Sequence, residues 1–531
     1  MSSHQFKSLA LINSDSYGLN PGQKLALSSG FLGLLLFVLA AFGVQLVNAS
    51  THLGLAICLL GLGIVYFARA SYRNKISGIQ NGGVMFRSLT SRGVLGWLLG
   101  ISLTVFYVIL YFYPAWLGLG KNGNPNSGLI ALFDPFSLWL NGNAATQWFV
   151  YGALYTFAII VFGYKFILKY RHNPYQKLRT ISVMFFQFGF AFLIPELMSQ
   201  LNSDTFKLPY YDLKSIWPLN YYNFDKYRVN SFIDAGDVGL ALLIFGVVSI
   251  FVITPILTYK YGKRWYCSWV CGCGGLAETV GDPFRQLSDK SVSAWKIERW
   301  VIHSVVVFAV LMTTAVVYSY LDSDRSYWLT KSDFLLGVGS LLTFVMGLVF
   351  VFKRKELGKD AIYGAVGYFV IVLTLIGLFI FDQTDQLFIF KSTELRRTYG
   401  FLIGSVFSGV IGTGFYPIFG SRVWCRFGCP MAAILGFQQR LFSRFRITTN
   451  GGQCISCGNC STYCEMGIDV RSYAQKGENI VRSSCVGCGI CSAVCPRGVL
   501  KLENDHQKGR INPTQVLLGN DVDLMDLMNQ R

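Results

Sequence analysis

Ten runs of about twenty mostly apolar residues, near 25–47, 52–68, 94–117, 148–168, 181–198, 237–259, 300–320, 333–352, 361–381 and 399–419, divide this chain of 531 residues. A run of that length crosses the hydrocarbon of a bilayer as one helix. Only 14% of the residues are charged, against about 25% in a soluble domain. The expected fold is a polytopic α-helical membrane protein.

The net charge is +18. The basic residues stand in small groups at the ends of the apolar runs, as the positive-inside rule requires, so topology explains the charge and no nucleic-acid partner is expected. With residues 1–24 as a cytoplasmic segment, the inner loops hold Arg69, Arg73, Lys75, Arg87 and Arg92, then Lys165, Lys169, Arg171, Lys177 and Arg179, then Lys260, Lys263 and Arg264, then Lys353, Arg354, Lys355 and Lys359. This places the protein in a bacterial inner membrane, with the first run retained as an anchor. Lys391, Arg396 and Arg397 fall on the outside and run against the rule. The outer loops 118–147 and 199–236 are rich in Asn, Asp and Tyr and offer a surface to an outside partner.

Fourteen cysteines are present, eight of them between Cys454 and Cys495. Cys454, Cys457, Cys460 and Cys464 are spaced C-x2-C-x2-C-x3-C, and Cys485, Cys488, Cys491 and Cys495 repeat the spacing before Pro496. Two such runs make the bacterial two-cluster ferredoxin pattern, in which the fourth cysteine of each run ligates the other cluster. One [4Fe–4S] cluster is then expected on Cys454, Cys457, Cys460 and Cys495, and a second on Cys485, Cys488, Cys491 and Cys464. Four-cysteine zinc sites are the rival reading, and two complete ferredoxin runs weigh against them. Gly458, Gly487 and Gly489 suit a backbone passing close to a cluster. Glu465 stands where the pattern prefers Pro, an acidic group that would lower the potential of its neighbour.

The stretches "GKRWYCSWVC" (262–271) and "GSRVWCRFGC" (420–429) share Gly262/Gly420, Arg264/Arg422, an aromatic at Tyr266/Trp424, and the pairs Cys267/Cys271 and Cys425/Cys429. Each follows an apolar run that exits to the inner side, which reads as an internal repeat about a pseudo-two-fold axis. Thiols at i and i+4 share one helix face. The two pairs therefore supply four ligands for a third iron–sulfur cluster at the membrane edge, [4Fe–4S] or [2Fe–2S], with Arg264 and Arg422 offsetting its negative charge. Cys273 is left over, either an alternative ligand or a bystander.

A membrane domain, two C-x-x-x-C motifs at inner helix ends, one reading "CRFGCP", and a C-terminal two-cluster ferredoxin domain together resemble the membrane polyferredoxin family of NosR- and NapH-like electron-transfer proteins. The resemblance covers roughly residues 237–503 and rests on twelve cysteines. It implies membrane-bound electron transfer between a quinone pool or cytoplasmic donor and a partner reductase, sometimes in the maturation of a metalloenzyme. Cys425, Cys429 and Pro430 match the family's C-x-x-x-C-P, whereas Gly272 and Cys273 replace the proline of the first motif. The flavin-attachment motif of NosR-like proteins is missing.

Five histidines, none paired within a span, argue against a di-haem cytochrome. His303 is expected at the depth of Cys267 and Cys271, where it bonds a quinone, tunes a cluster or simply packs between helices. Glu196, after Pro195, is a membrane-embedded acid of the kind that marks a proton path or quinol site, or an interfacial residue. No phosphate loop or dinucleotide fingerprint is present. The expected organisation is a segment at 1–24, an N-terminal membrane domain at 25–235, a second carrying the paired motifs at 236–446, the ferredoxin domain at 447–503 and a polar tail at 504–531. The expected function is electron transfer between a cytoplasmic redox partner and the quinone pool or a partner oxidoreductase. The alternative is a redox-active assembly factor that reduces or delivers metal for a respiratory metalloenzyme.

Overall fold

The computed structural model describes residues 19–73, 87–120, 123–202, 208–321, 327–354, 357–382, 386–387, 390–450, 453–504, 517–518 and 522–523. Most of the expected N-terminal segment, nearly all of the polar tail, and Lys75, Lys355, His4 and His506 lie outside the described residues. Among those described, eight helices are long and apolar enough to cross a membrane: α1 (Pro21–Ala41), α2 (Ala49–Tyr72), α3 (Val94–Phe112), α4 (Gln147–Lys169), α5 (Pro174–Gln200), α6 (Gly236–Tyr261), α8 (Val292–Tyr320) and α9 (Lys331–Lys353). The short α7 (Gly272–Thr279) lies between α6 and α8. The ninth expected run falls in α10 (Lys359–Asp382), whose apolar stretch Ile362–Leu378 is shorter. The tenth starts in α11 (Ser392–Tyr399) and continues as the wide-turned helix Gly400–Gly414.

Local chemistry starts and shapes these helices. Asn20, Asn173, Ser291 and Thr330 each accept a hydrogen bond from a first-turn N–H, supplying a partner to an otherwise orphaned donor. Wide turns at 186–193 in α5 and 249–253 in α6 directly precede Pro195 and Pro255, where a missing N–H loosens the ladder. Close backbone approach explains the glycines facing each other in α1 and α2. A Cβ at Gly33 would lie 2.6 Å from Leu60 N, and one at Gly63 would lie 2.7 Å from Ala26 O, so these small residues let the helices touch.

The ferredoxin domain is closed by an antiparallel pair, β1 (Arg446–Thr449) with β2 (Leu500–Glu503), in the register Arg446 to Glu503 and Thr449 to Leu500. Between the strands, two one-turn helices, Asn459–Thr462 and Ile490–Ala493, follow left-handed Gly458 and Gly489. The domain sits on the Lys169 end of α4 and the Pro174 end of α5. Phe166 and Tyr170 pack with Tyr463, Ile490 and Val494, while Tyr175 OH donates to Gly487 O at 2.9 Å and Gln176 Nε2 to Cys488 O at 2.8 Å.

Candidate metal centres

Gly262 and Gly420, the matched glycines of the internal repeat, have the same unusual backbone: φ +66° and ψ −177° at the first, φ +93° and ψ 167° at the second. Only glycine adopts that region at low cost. At each, the preceding helix stops and the chain turns back into the helix bundle as an arm carrying C-x-x-x-C.

The arms reach further than the membrane edge that the sequence suggests. A Cβ on Gly272, next to Cys271, would lie 3.4 Å from the ring of Tyr155. Tyr155 is fourteen residues from Lys169, about 21 Å along α4 at 1.5 Å per residue. In the other arm Gly428, next to Cys429, is pressed on Phe407 within the wide-turned helix. Cys267, Cys271, Cys425 and Cys429 are all buried in one apolar core with Tyr266, Trp424 and Met431, and Cys273 packs against it. Cys429 Sγ accepts from Ala432 N at 3.4 Å, and Cys425 Sγ faces Arg422 Nη1 at 3.5 Å.

The two repeat arginines diverge. Arg422 is buried beside Cys425 and also donates to the Cys267 carbonyl at 3.1 Å. Arg264 turns toward the ferredoxin domain, its guanidinium 4.6 Å from the Phe445 ring centroid and bonded to Asn504 Oδ1 at 2.7 Å. His303 is exposed on α8, with Nδ1 against the carbonyl of Arg299 in its own helix, so it does not join the cysteines. Glu196 is buried and accepts from Asn141 Nδ2 and from Tyr210 OH.

In the ferredoxin domain Cys454, Cys457, Cys460 and Cys495 line one open cavity, with Cys457 exposed. Cys485 and Cys491 are buried, and Cys464 and Cys488 are half-buried. Cys464 Sγ accepts from Ile468 N at 3.4 Å, the kind of N–H to sulfur bond that tunes a cluster. Burial pushes the Cys460 thiol up to about 12 and the Cys485 thiol to about 11, so loading them with metal releases protons. Four thiolates on one zinc at 2.3 Å stand about 3.8 Å apart. Among the described residues no three cysteine sulfurs come within 4.8 Å of one another, the closeness that a single four-thiolate zinc would need.

Between the two kinds of site lies a buried ion network that the sequence does not announce. Glu278 contacts Arg179, Arg285 Nη2 at 2.6 Å and Arg422 Nη2 at 2.6 Å. Glu465 contacts Arg285 Nη1 at 2.7 Å and Arg422 Nε at 3.0 Å. Asp282 binds Lys169 Nζ at 2.7 Å and Arg285 Nε at 2.9 Å. Carboxylate oxygens of Glu278 and Glu465 and the Cys488 sulfur lie within 4.8 Å of one another. Burial alone would raise the Glu278 carboxyl, but the three guanidiniums hold it well below the usual range. Four cations face three anions here, a surplus of one positive charge beside the cysteines.

Residues 453–500 match the family described as a 4Fe-4S dicluster domain, and residues 243–291 and 401–448 each match the family described as a 4Fe-4S binding domain. The latter pair coincides with the two repeat arms. A curated relative, the "Putative electron transport protein YccM" of Escherichia coli (strain K12), is 25% identical over 214 residues, covering 40% of this chain. The match spans 44% of that relative's length. No solved structure matches.

Proposed function

The chain fits a membrane polyferredoxin family, an iron–sulfur electron-transport protein with membrane-spanning helices, and from that premise we propose that it conducts electrons between a soluble redox partner and the interior of the helix bundle. Clusters held by its cysteines would supply one-electron redox chemistry. Cys454, Cys457, Cys460 and Cys495 hold the solvent-facing one, and Cys464, Cys485, Cys488 and Cys491 the one against the membrane domain. Cys267, Cys271, Cys425 and Cys429 hold a third inside the bundle.

The observation that carries this reading is the hydrogen bond from Ser268 Oγ to Val486 O, 2.8 Å. Ser268 follows Cys267 and Val486 follows Cys485, so one short bond joins the neighbours of a bundle cysteine and a ferredoxin cysteine. Arg422 provides a parallel link, bonded to Cys425 Sγ at one end of its guanidinium and to Glu465, next to Cys464, at the other. The domain is thus fastened by the segments that carry ligands. The chain's own work is to hold the three sets in line, exclude water from the inner two, and surround them with fixed cations and N–H donors.

Quinone is the membrane-side redox partner in this reading, the ferredoxin domain faces the cytoplasm, and the membrane is the bacterial inner membrane. The charge asymmetry of the loops supports that orientation. The test is to mix anaerobically purified protein with a quinol and follow the EPR signals. Reduction of the clusters at a rate competent for turnover is expected, and slowed transfer in Ser268→Ala. Clusters that ignore quinol yet respond to copper would overturn the proposal in favour of metal handling.

A further inference from the structure

Residues 208–225 read as an outer loop, and they do start and finish at the bundle end opposite the ferredoxin domain. Tyr210 OH donates to Glu196 Oε1 at 3.2 Å, near the far end of α5. On the return, Asp225 pairs with Arg396 at 2.7 Å. Between these anchors the chain descends into the bundle. Tyr266 OH donates to Lys214 O at 2.9 Å, Trp217 Nε1 donates to Thr313 Oγ1 at 2.9 Å, and Ile216 and Leu219 pack on the core that contains the four bundle cysteines. Irregular backbone at membrane depth is tolerated when protein surrounds it, as it does here.

One side chain of this segment that reaches the bundle cysteines is a cation. A Cβ on Gly272 would lie 3.5 Å from Lys214 Nζ and 2.4 Å from Gln187 Oε1, and Gly272 separates Cys271 from Cys273. Lys214 is paired to Asp212 at 3.2 Å, with side-chain exposures of 11% and 24%. Arg422 already stands at Cys425 on the other arm. A charged residue inside a membrane domain calls for a functional partner, and Asp212 is a single, partly exposed one.

We infer that Lys214 is a further cation of the bundle-cysteine site, a positioning residue delivered from the opposite side to Arg422, and that it raises the reduction potential of the cluster bound there. The inference rests on the reading of Cys267, Cys271, Cys425 and Cys429 as cluster ligands. Reduction adds a negative charge to a thiolate-bound cluster, so a fixed cation beside it favours the reduced form, and removing the cation favours the oxidised form.

The experiment is an EPR-monitored redox titration of full-length, anaerobically purified protein, with iron measured on the same samples. Lys214→Met should make the bundle cluster at least tenfold harder to reduce, a shift of 59 mV for one electron, with both ferredoxin signals unmoved. Lys214→Arg should restore the parent potential. Asp212→Asn, which removes the counter-charge and keeps the lysine, should shift it the other way, and this decides the matter if Lys214→Met fails to retain its cluster. Unchanged midpoints in both Lys214→Met and Asp212→Asn, at full iron content, overturn the inference alone. Parent protein without iron beyond that of two ferredoxin clusters overturns the bundle-cluster reading itself, and this inference with it.

Discussion

Arg422 and Glu465 are both fully buried, and the Nε of one lies 3.0 Å from the Oε1 of the other, across the junction of a membrane arm and the ferredoxin domain. Glu465 occupies the place after Cys464 where a proline is usual, and its acidity suggested a lower potential for its neighbour. Arg285 and Arg422 take both of its oxygens. Removing one member of a buried pair strands the other charge and costs about 3–5 kcal/mol. Arg422→Met should therefore loosen the docked domain by an amount of that order, read as a lower temperature of onset of its proteolysis. Arg422→Met combined with Glu465→Gln should recover part of the loss. Equal losses in the single and double variants would show that the pair does not couple the two domains.

Among the positions where the two ferredoxin motifs differ, one reports which motif faces the membrane domain. Ser456 and Gly487 each precede the second cysteine of their run, and both are left-handed, at φ +57° and +61°. A side chain there costs about 1–2 kcal/mol in backbone strain. Ser456 faces solvent and is held by Gln475 Nε2 at 2.6 Å. At Gly487 a Cβ would lie 2.6 Å from Arg264 Cβ and 3.0 Å from the ring of Phe445. Ser456→Gly should thus change thermal stability by about 1 kcal/mol or less, the lost hydrogen bond offsetting the relieved strain. Gly487→Ser should undock the domain, measured as protease sensitivity near β1 and slower reduction of the bundle cluster.

Much of this was legible in the residue pattern, and the parts that were not share a physical cause. Cys454, Cys457, Cys460 and Cys495, grouped by their spacing, line one cavity, because local sequence brings them together. Gly262 and Gly420 likewise announce the repeat through a conformation that only glycine takes easily. Long-range burial is not written locally. Lys169 and Arg179 look like topological charges of an inner loop, yet both are buried against Asp282 and Glu278. "PLNYYNFDKY" looks like surface, yet Asn220 and Asn223 are buried, because the descending segment finds its partners in protein.

Asp282 offers a test of the network that avoids any cysteine neighbour. Burial would raise its carboxyl, but Lys169 and Arg285 outweigh that and bring it down to about 2 from 3.8. A carboxyl with a depressed folded-state pKa stabilises the protein fully above its unfolded pKa, and the contribution fades only as pH falls toward the folded one. The window of loss is therefore roughly pH 4 to 2. Asp282→Asn should lower stability by about 3–5 kcal/mol, leaving Lys169 buried without its carboxylate. The deficit should be constant between pH 5 and 8, measured by thermal onset at each pH. A deficit that disappears at pH 5 would contradict the assignment.

Five bundle cysteines share one core, one more than the proposed cluster would take, and Cys273 is the one whose place in the chain differs from its repeat partner. It stands in the first turn of α7, and the corresponding stretch of the second arm carries Pro430 and Met431. Cys267, Cys271, Cys425 and Cys429 are each buried, whereas Cys273 is half-buried, so the symmetric four are the more fully enclosed. Replacing all four by serine should remove the iron of one cluster and leave the eight irons of the two [4Fe–4S] ferredoxin sites. Cys273→Ser should keep the full iron content. Should Cys273→Ser lose that iron while Cys271→Ser retains it, the ligand set is Cys267, Cys273, Cys425 and Cys429, and the first arm binds through C-x5-C in place of C-x3-C.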